Sequence, residues 1–204
     1  MTRRRHPRIA GYTLIEVMMA LAILTAGAVG IMALQQAATR GNMESRQMTT
    51  ATVLAQRWIE RLRRDSLNWT LRSRTHNPGA LTGTTYLRTV ASPGAPILWT
   101  VPTPPATGTD SASFDYYGND TTVGSQMQYC TNIRLEWLYP GRAMRADVRV
   151  WWARRGDGVD RNLARGDELA GCGAGLDPNS LTNDFRARMV YASTVLRYNP
   201  PPAF

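Results

Sequence analysis

Residues 12–34 read YTLIEVMMALAILTAGAVGIMAL, an apolar run interrupted by a single charge, Glu16. A helix rises about 1.5 Å per residue, so roughly twenty such residues cross the hydrocarbon core of a bilayer. The run follows MTRRRHPRIAG, where Arg3, Arg4, Arg5 and Arg8 stand with no acid among them. The positive-inside bias therefore keeps the N-terminus in the cytoplasm and sends the remainder across. A secretory signal is the rival reading, but its apolar region spans only about 7–15 residues and ends at a small-residue cleavage site. Ala37-Ala38 offers such a site, yet the helical rhythm continues past it, and a signal peptide gains nothing from Glu16. A carboxylate at mid-bilayer costs about 2.5–3.5 kcal/mol. Glu16 either lies close enough to the interface to reach water or awaits a cationic partner.

Outward from this run, length and composition set the frame. A chain of 204 residues suits one membrane segment and one domain of ordinary size. Hydrophobic residues make up 43%, enough to build a core, so the chain is not disordered throughout. All 24 basic residues are arginine and the formal charge is +9. Without the four arginines of the first eleven residues, 20 Arg face 15 acids, a net of +5. Such mild basicity is not by itself a nucleic-acid footprint.

The order Gly11-Tyr12-Thr13-Leu14-Ile15-Glu16-Val17, behind a short basic leader and ahead of an apolar helix, resembles the processing site of type IV prepilins and pseudopilins. The family usually carries Phe where Tyr12 stands. The resemblance covers about the first 25 residues. It implies cleavage after Gly11 by a prepilin peptidase and N-methylation of the new terminus at Tyr12. Glu16 then becomes the fifth mature residue, able to neutralise the terminal amine of a neighbouring subunit, so that a lone charge in lipid becomes a charge pair. Ala22, Ala26 and Gly30 recur at i, i+4 and i+8, a small-residue ridge that lets another helix approach. Gly27 and Gly30 lie where the resemblance implies loosening of pilin helices during assembly.

Residues 35–76 read as the amphipathic continuation of the helix. Ala51, Leu54, Trp58 and Leu62 form one apolar stripe, with Arg57, Glu60, Arg61, Arg63 and Arg64 mostly on the other faces and Glu60–Arg64 paired at i,i+4. Gly41 is a weak point, costing about 1 kcal/mol relative to Ala. The helix fades before Asn77-Pro78-Gly79, a turn sequence. The stretch Leu54-Ala55-Gln56 with Glu60 and Arg63 resembles the helix of the PilV minor pilins and of small secretion pseudopilins. Residues 77–204 read as a periplasmic globular domain. Within it, 78–125 is rich in Gly, Pro, Thr and Ser and reads as a variable surface loop, with strand-like pieces at 84–90 and 97–101.

Three period-two runs follow. Residues 128–138 place Tyr129, Thr131, Ile133, Leu135 and Trp137 on one face; a Pro140-Gly141 turn leads to 145–152; and 187–196 alternates as a third strand. These predict a small antiparallel sheet with one face on the helix and the other wet, an α+β arrangement matching the pilin fold. Trp151 and Trp152 point to opposite faces, so one of them is expected exposed or covered by a partner. The acidic loop 156–168 lacks the spacing of a calcium loop and reads as a solvated turn. Export makes a single disulfide between Cys130 and Cys172 the natural reading; a cytosolic chain would keep two thiols. The bridge would close a loop of 41 intervening residues.

No catalytic constellation and no cofactor motif stands in the sequence, which predicts a non-enzymatic protein without a metal site. The last strand, 194–199, and the run 148–152 add to the resemblance to PilV minor pilins. That resemblance implies the inner membrane and the pilus as location. It implies other minor pilins, the major pilin, the prepilin peptidase, the inner-membrane assembly platform and a tip adhesin as partners. A type II secretion pseudopilin is the second reading; the closest of these are shorter than the 193 residues left after the leader. A membrane-anchored module outside any filament, holding DNA through Arg61, Arg63, Arg64, Arg72 and Arg74, is the third; nucleic acid is not the expected partner, because those arginines read as a solvated helix face.

Overall fold

No proline occurs between Pro7 and Pro78, so no backbone donor is removed over that interval. A single helix, α1, runs accordingly from Leu14 to Arg72 over 59 residues. The computed structural model of the chain describes residues 11, 13–72, 81, 83–103, 110–153 and 187–198. Two compact units divide the chain, Met1–Arg46 and Gln47–Phe204, and α1 contributes residues to both.

In the first unit α1 is exposed on all sides, and from Leu14 to Leu34 it is apolar on all sides apart from Glu16. Twelve large apolar side chains between Leu14 and Leu34 are 46% to 81% exposed. The helix reaches a mean hydropathy of 2.3 over 18 residues, none of them buried. By length and composition it can cross a membrane. An all-round apolar helix with no protein against it requires lipid or neighbouring helices as its surroundings.

In the second unit four antiparallel strands form one sheet in the order β1-β2-β3-β4. They are β1 Ser113–Phe114, β2 Tyr129–Tyr139, β3 Ala143–Ala153 and β4 Ala187–Arg197. The β2–β3 hairpin turns at Gly141, whose φ of 70° is a left-handed conformation that glycine adopts without strain. Val148 lies opposite Ile133 on one side and Ala192 on the other, so β-branched and small residues alternate across the inner face. The helical stripe Ala51, Leu54, Trp58 and Leu62 packs into the same core, each residue at most 1% exposed. Burying one such Leu contributes about 1.5–3 kcal/mol. Trp69 closes the far end of the core, with ring centroids 5.7 Å from Trp137 and 5.6 Å from Tyr198. This is the α+β architecture of a type IV pilin-like fold, a long helix packed on a small antiparallel sheet.

Several local expectations are corrected. The piece 84–90 is not a strand: Leu87–Thr89 forms a 3-10 helix, because its amides are drawn to a carboxylate on α1. The piece 97–101 supplies only an isolated bridge, Thr100 to Ile133, with both N–H···O distances at 2.8 Å. The outer face of the sheet is not uniformly wet. Trp151 and Trp152 are both buried, and so are Asp147 and Arg149 on the outer face of β3. Trp99 lies over part of that face, 4.5 Å from the Arg149 guanidinium carbon and 4.8 Å from that of Arg134.

Candidate functional site: the N-terminal segment

Gly11 is exposed and outside the helix, and a Cβ built on it would meet nothing within 4 Å. Neither packing nor backbone conformation therefore demands glycine at this position. Thr13 is the last residue before α1, and Glu16 lies in the first turn. The two form a capping box. The Thr13 backbone N–H donates to Glu16 Oε2 at 3.0 Å, the Thr13 hydroxyl donates to the same oxygen at 3.1 Å, and the Glu16 N–H donates to Thr13 Oγ1 at 3.4 Å. This arrangement satisfies donors that every helix start leaves open and places a negative charge at the positive end of the helix dipole. A Thr-x-x-Glu spacing just before an apolar run signals it in the sequence, although the run alone does not reveal it.

Ala22, Ala26 and Gly30 lie exposed along the same helix, and a Cβ on Gly30 would meet nothing. The Ala22 carbonyl accepts the Thr25 hydroxyl at 2.9 Å. The three positions are therefore uncovered within this unit. Tyr12 lies outside the described residues, as do Cys172 and the acidic loop 156–168. Cys130 is fully buried in β2, opposite Ser113 and Trp151. Among the described residues no group of three His, Cys, Asp or Glu side chains could hold a metal ion.

The second unit carries polar residues that helical periodicity misreads. Arg61 is not a solvated residue: it is 6% exposed, reaches Asp120 through two contacts of 3.0 Å and pairs with Asp110 at 3.1 Å. Asp65, also buried, accepts the backbone N–H groups of Thr85, Tyr86 and Leu87. Burial, with the Asp110 carboxylate beside it, pushes the Tyr86 hydroxyl up to about 12. Glu60 pairs with Arg63 at 2.6 Å instead of with Arg64. No local signal marks Arg61 or Asp65, because their partners lie 20 to 59 residues away in the chain.

Comparison with known proteins bears on the first unit. Residues 6–32 match the prokaryotic N-terminal methylation motif. Neither the curated proteins nor the solved structures compared with the chain give a match. The matched segment takes in the end of the leader from His6, with Arg8 and Gly11, the Thr13–Glu16 capping box and the small-residue ridge. It points to a structural, non-enzymatic protein, fits anchorage in the inner membrane and is consistent with processing by a prepilin peptidase. The motif and the fold together support a type IV pilin-like or pseudopilin protein.

Proposed function

We propose that the chain is a minor pilin of the kind represented by the PilV family. It inserts in the inner membrane with its C-terminal domain in the periplasm, is cut after Gly11 and is methylated at Tyr12. It then joins other minor pilins and the major pilin in initiating or tipping a type IV pilus, through the inner-membrane assembly platform. The observation that carries this reading is the methylation motif over residues 6–32, coincident with an exposed apolar helix whose one early charge is Glu16. Glu16 in this reading neutralises the terminal amine of a neighbouring subunit, and Ala22, Ala26 and Gly30 form the surface for helix packing. A Cys130–Cys172 disulfide belongs to the same reading, supported by the absence of free thiols among the described residues. The DNA-holding alternative loses Arg61, which is buried in ion pairs.

The test is assembly of Glu16→Ala, Glu16→Val and Glu16→Gln subunits. Removing a charge from lipid favours the membrane state, so insertion and folding of the second unit are retained. The variants are expected to be missing from sheared pili and from complexes with other minor pilins. Assembly of all three like the parent would leave an anchored module as the better reading. Recovery of the parent with secretion pseudopilins instead of pili would favour the type II secretion role.

A further inference from the structure

Arg57, Arg61 and Asp65 stand at i, i+4 and i+8 on α1, on one face of the helix within the second unit. Each reaches across to backbone or carboxylate groups of the connecting segments. Asp65 takes the N–H groups of Thr85 and Tyr86 at 2.7 Å and that of Leu87 at 3.0 Å. The 3-10 helix Leu87–Thr89 has no side-chain cap of its own, so Asp65 caps it from another element. Arg61 holds Asp120 and Asp110, donates to the Ser111 carbonyl at 3.4 Å and stacks over Trp58, 4.8 Å from the ring centroid. Asp120 in turn accepts the Ser111 N–H at 2.7 Å, and Arg57 donates to the Gly118 carbonyl at 2.9 Å. Gly118, at φ +84°, lies beside Thr50 and Leu54 of the same helix.

Buried ion groups repay their desolvation poorly and are weak contributors to net stability, whereas a fully bonded polar network leaves one arrangement far better satisfied than its competitors. The segments 83–103 and 110–120 contain little regular structure that could choose an arrangement by itself. We propose that Asp65 and Arg61 are positioning residues that hold these two segments in one arrangement against α1, selecting their conformation more than stabilising the fold. This goes beyond the filament reading and is testable without it.

The experiment is amide hydrogen exchange on the full chain in detergent micelles. Asp65→Asn is expected to speed exchange at Thr85, Tyr86 and Leu87 about tenfold or more while Val148 and Val150 of β3 keep the parent's rates. Arg61→Lys, which keeps the charge and loses the fork, is the second variant and is expected to do the same at Ser111. Arg61→Glu, which sets a like charge against Asp110 and Asp120, should loosen this amide at least as much as Arg61→Lys does. Exchange unchanged at all four amides would overturn the proposal. So would a rise shared equally by β3, since that would make these residues general contributors to stability.

Discussion

Asp147 lies on the outer face of β3, 4% exposed, where it accepts bonds from Arg134 at 2.8 Å, Arg145 at 2.8 Å and the Ser193 hydroxyl. Burial pushes its carboxyl up, but the Ser193 hydroxyl and the two guanidinium groups outweigh it and hold Asp147 below the usual carboxylate range. A depressed carboxyl contributes stability that is present above its unfolded value, about 3.9, and lost as pH falls through the lower folded value. Asp147→Asn is therefore expected to lose about 1–2 kcal/mol at neutral pH, discounted for screening because both arginines are partly exposed. Thermal denaturation across pH checks this: the gap between variant and parent should narrow below about pH 3.9. A gap constant down to strong acid would show that the carboxylate's charge has no part in it. At this scale the sequence was legible where a residue conflicts with its own neighbourhood. Glu16 stands out because everything around it is apolar. Arg61 does not, because a charge on an amphipathic helix looks solvated until its partners Asp110 and Asp120 fold against it.

The elements follow the same division between local and distant causes. The stripe Ala51, Leu54, Trp58 and Leu62 predicts the buried face of α1, since helical periodicity and core contact there have one origin. β2, β3 and β4 could be read from alternation, although burial on both faces around Arg149 and Trp151 could not, because alternation specifies one buried face only. β1 is two residues long, too short to carry a period, and exists because Phe114 and Ser113 find Tyr129 and Cys130 on β2. The strand reading of 84–90 fails because the side chain of Asp65 outbids a ladder for its amides. Cys130 stands where β1, β2 and β3 meet, so its proposed bridge to Cys172 would tie the C-terminal loop to the sheet. Cys130→Ser is expected to lower stability by about 3–4 kcal/mol. Denaturant unfolding checks this, and a reductant should bring the parent to the variant's level. Labelling of both thiols in the native exported protein would count against the bridge.

For the whole molecule, the two units ask for different surroundings from one helix. The first exposes a continuous apolar surface, whereas the second buries a hydrophobic core of its own. The proposed passage from membrane to filament turns on the bond after Gly11, and the structure makes glycine there unnecessary for folding, since its Cβ position is open. Gly11→Val should therefore leave the core of the second unit intact and act on processing alone. A branched residue beside the bond is expected to obstruct the peptidase, leaving the Arg-bearing leader attached and the subunit held in the membrane. Mass spectrometry of the membrane fraction reads the outcome directly, as the parent is expected to begin at methylated Tyr12 and the variant at its initiating end. Thermal denaturation of both forms separates a processing defect from a folding defect, with equal midpoints expected. A parent whose mature chain begins near Ala38 would instead identify an ordinary secretory signal, because such a cut removes Glu16 and the small-residue ridge on which assembly is argued to depend.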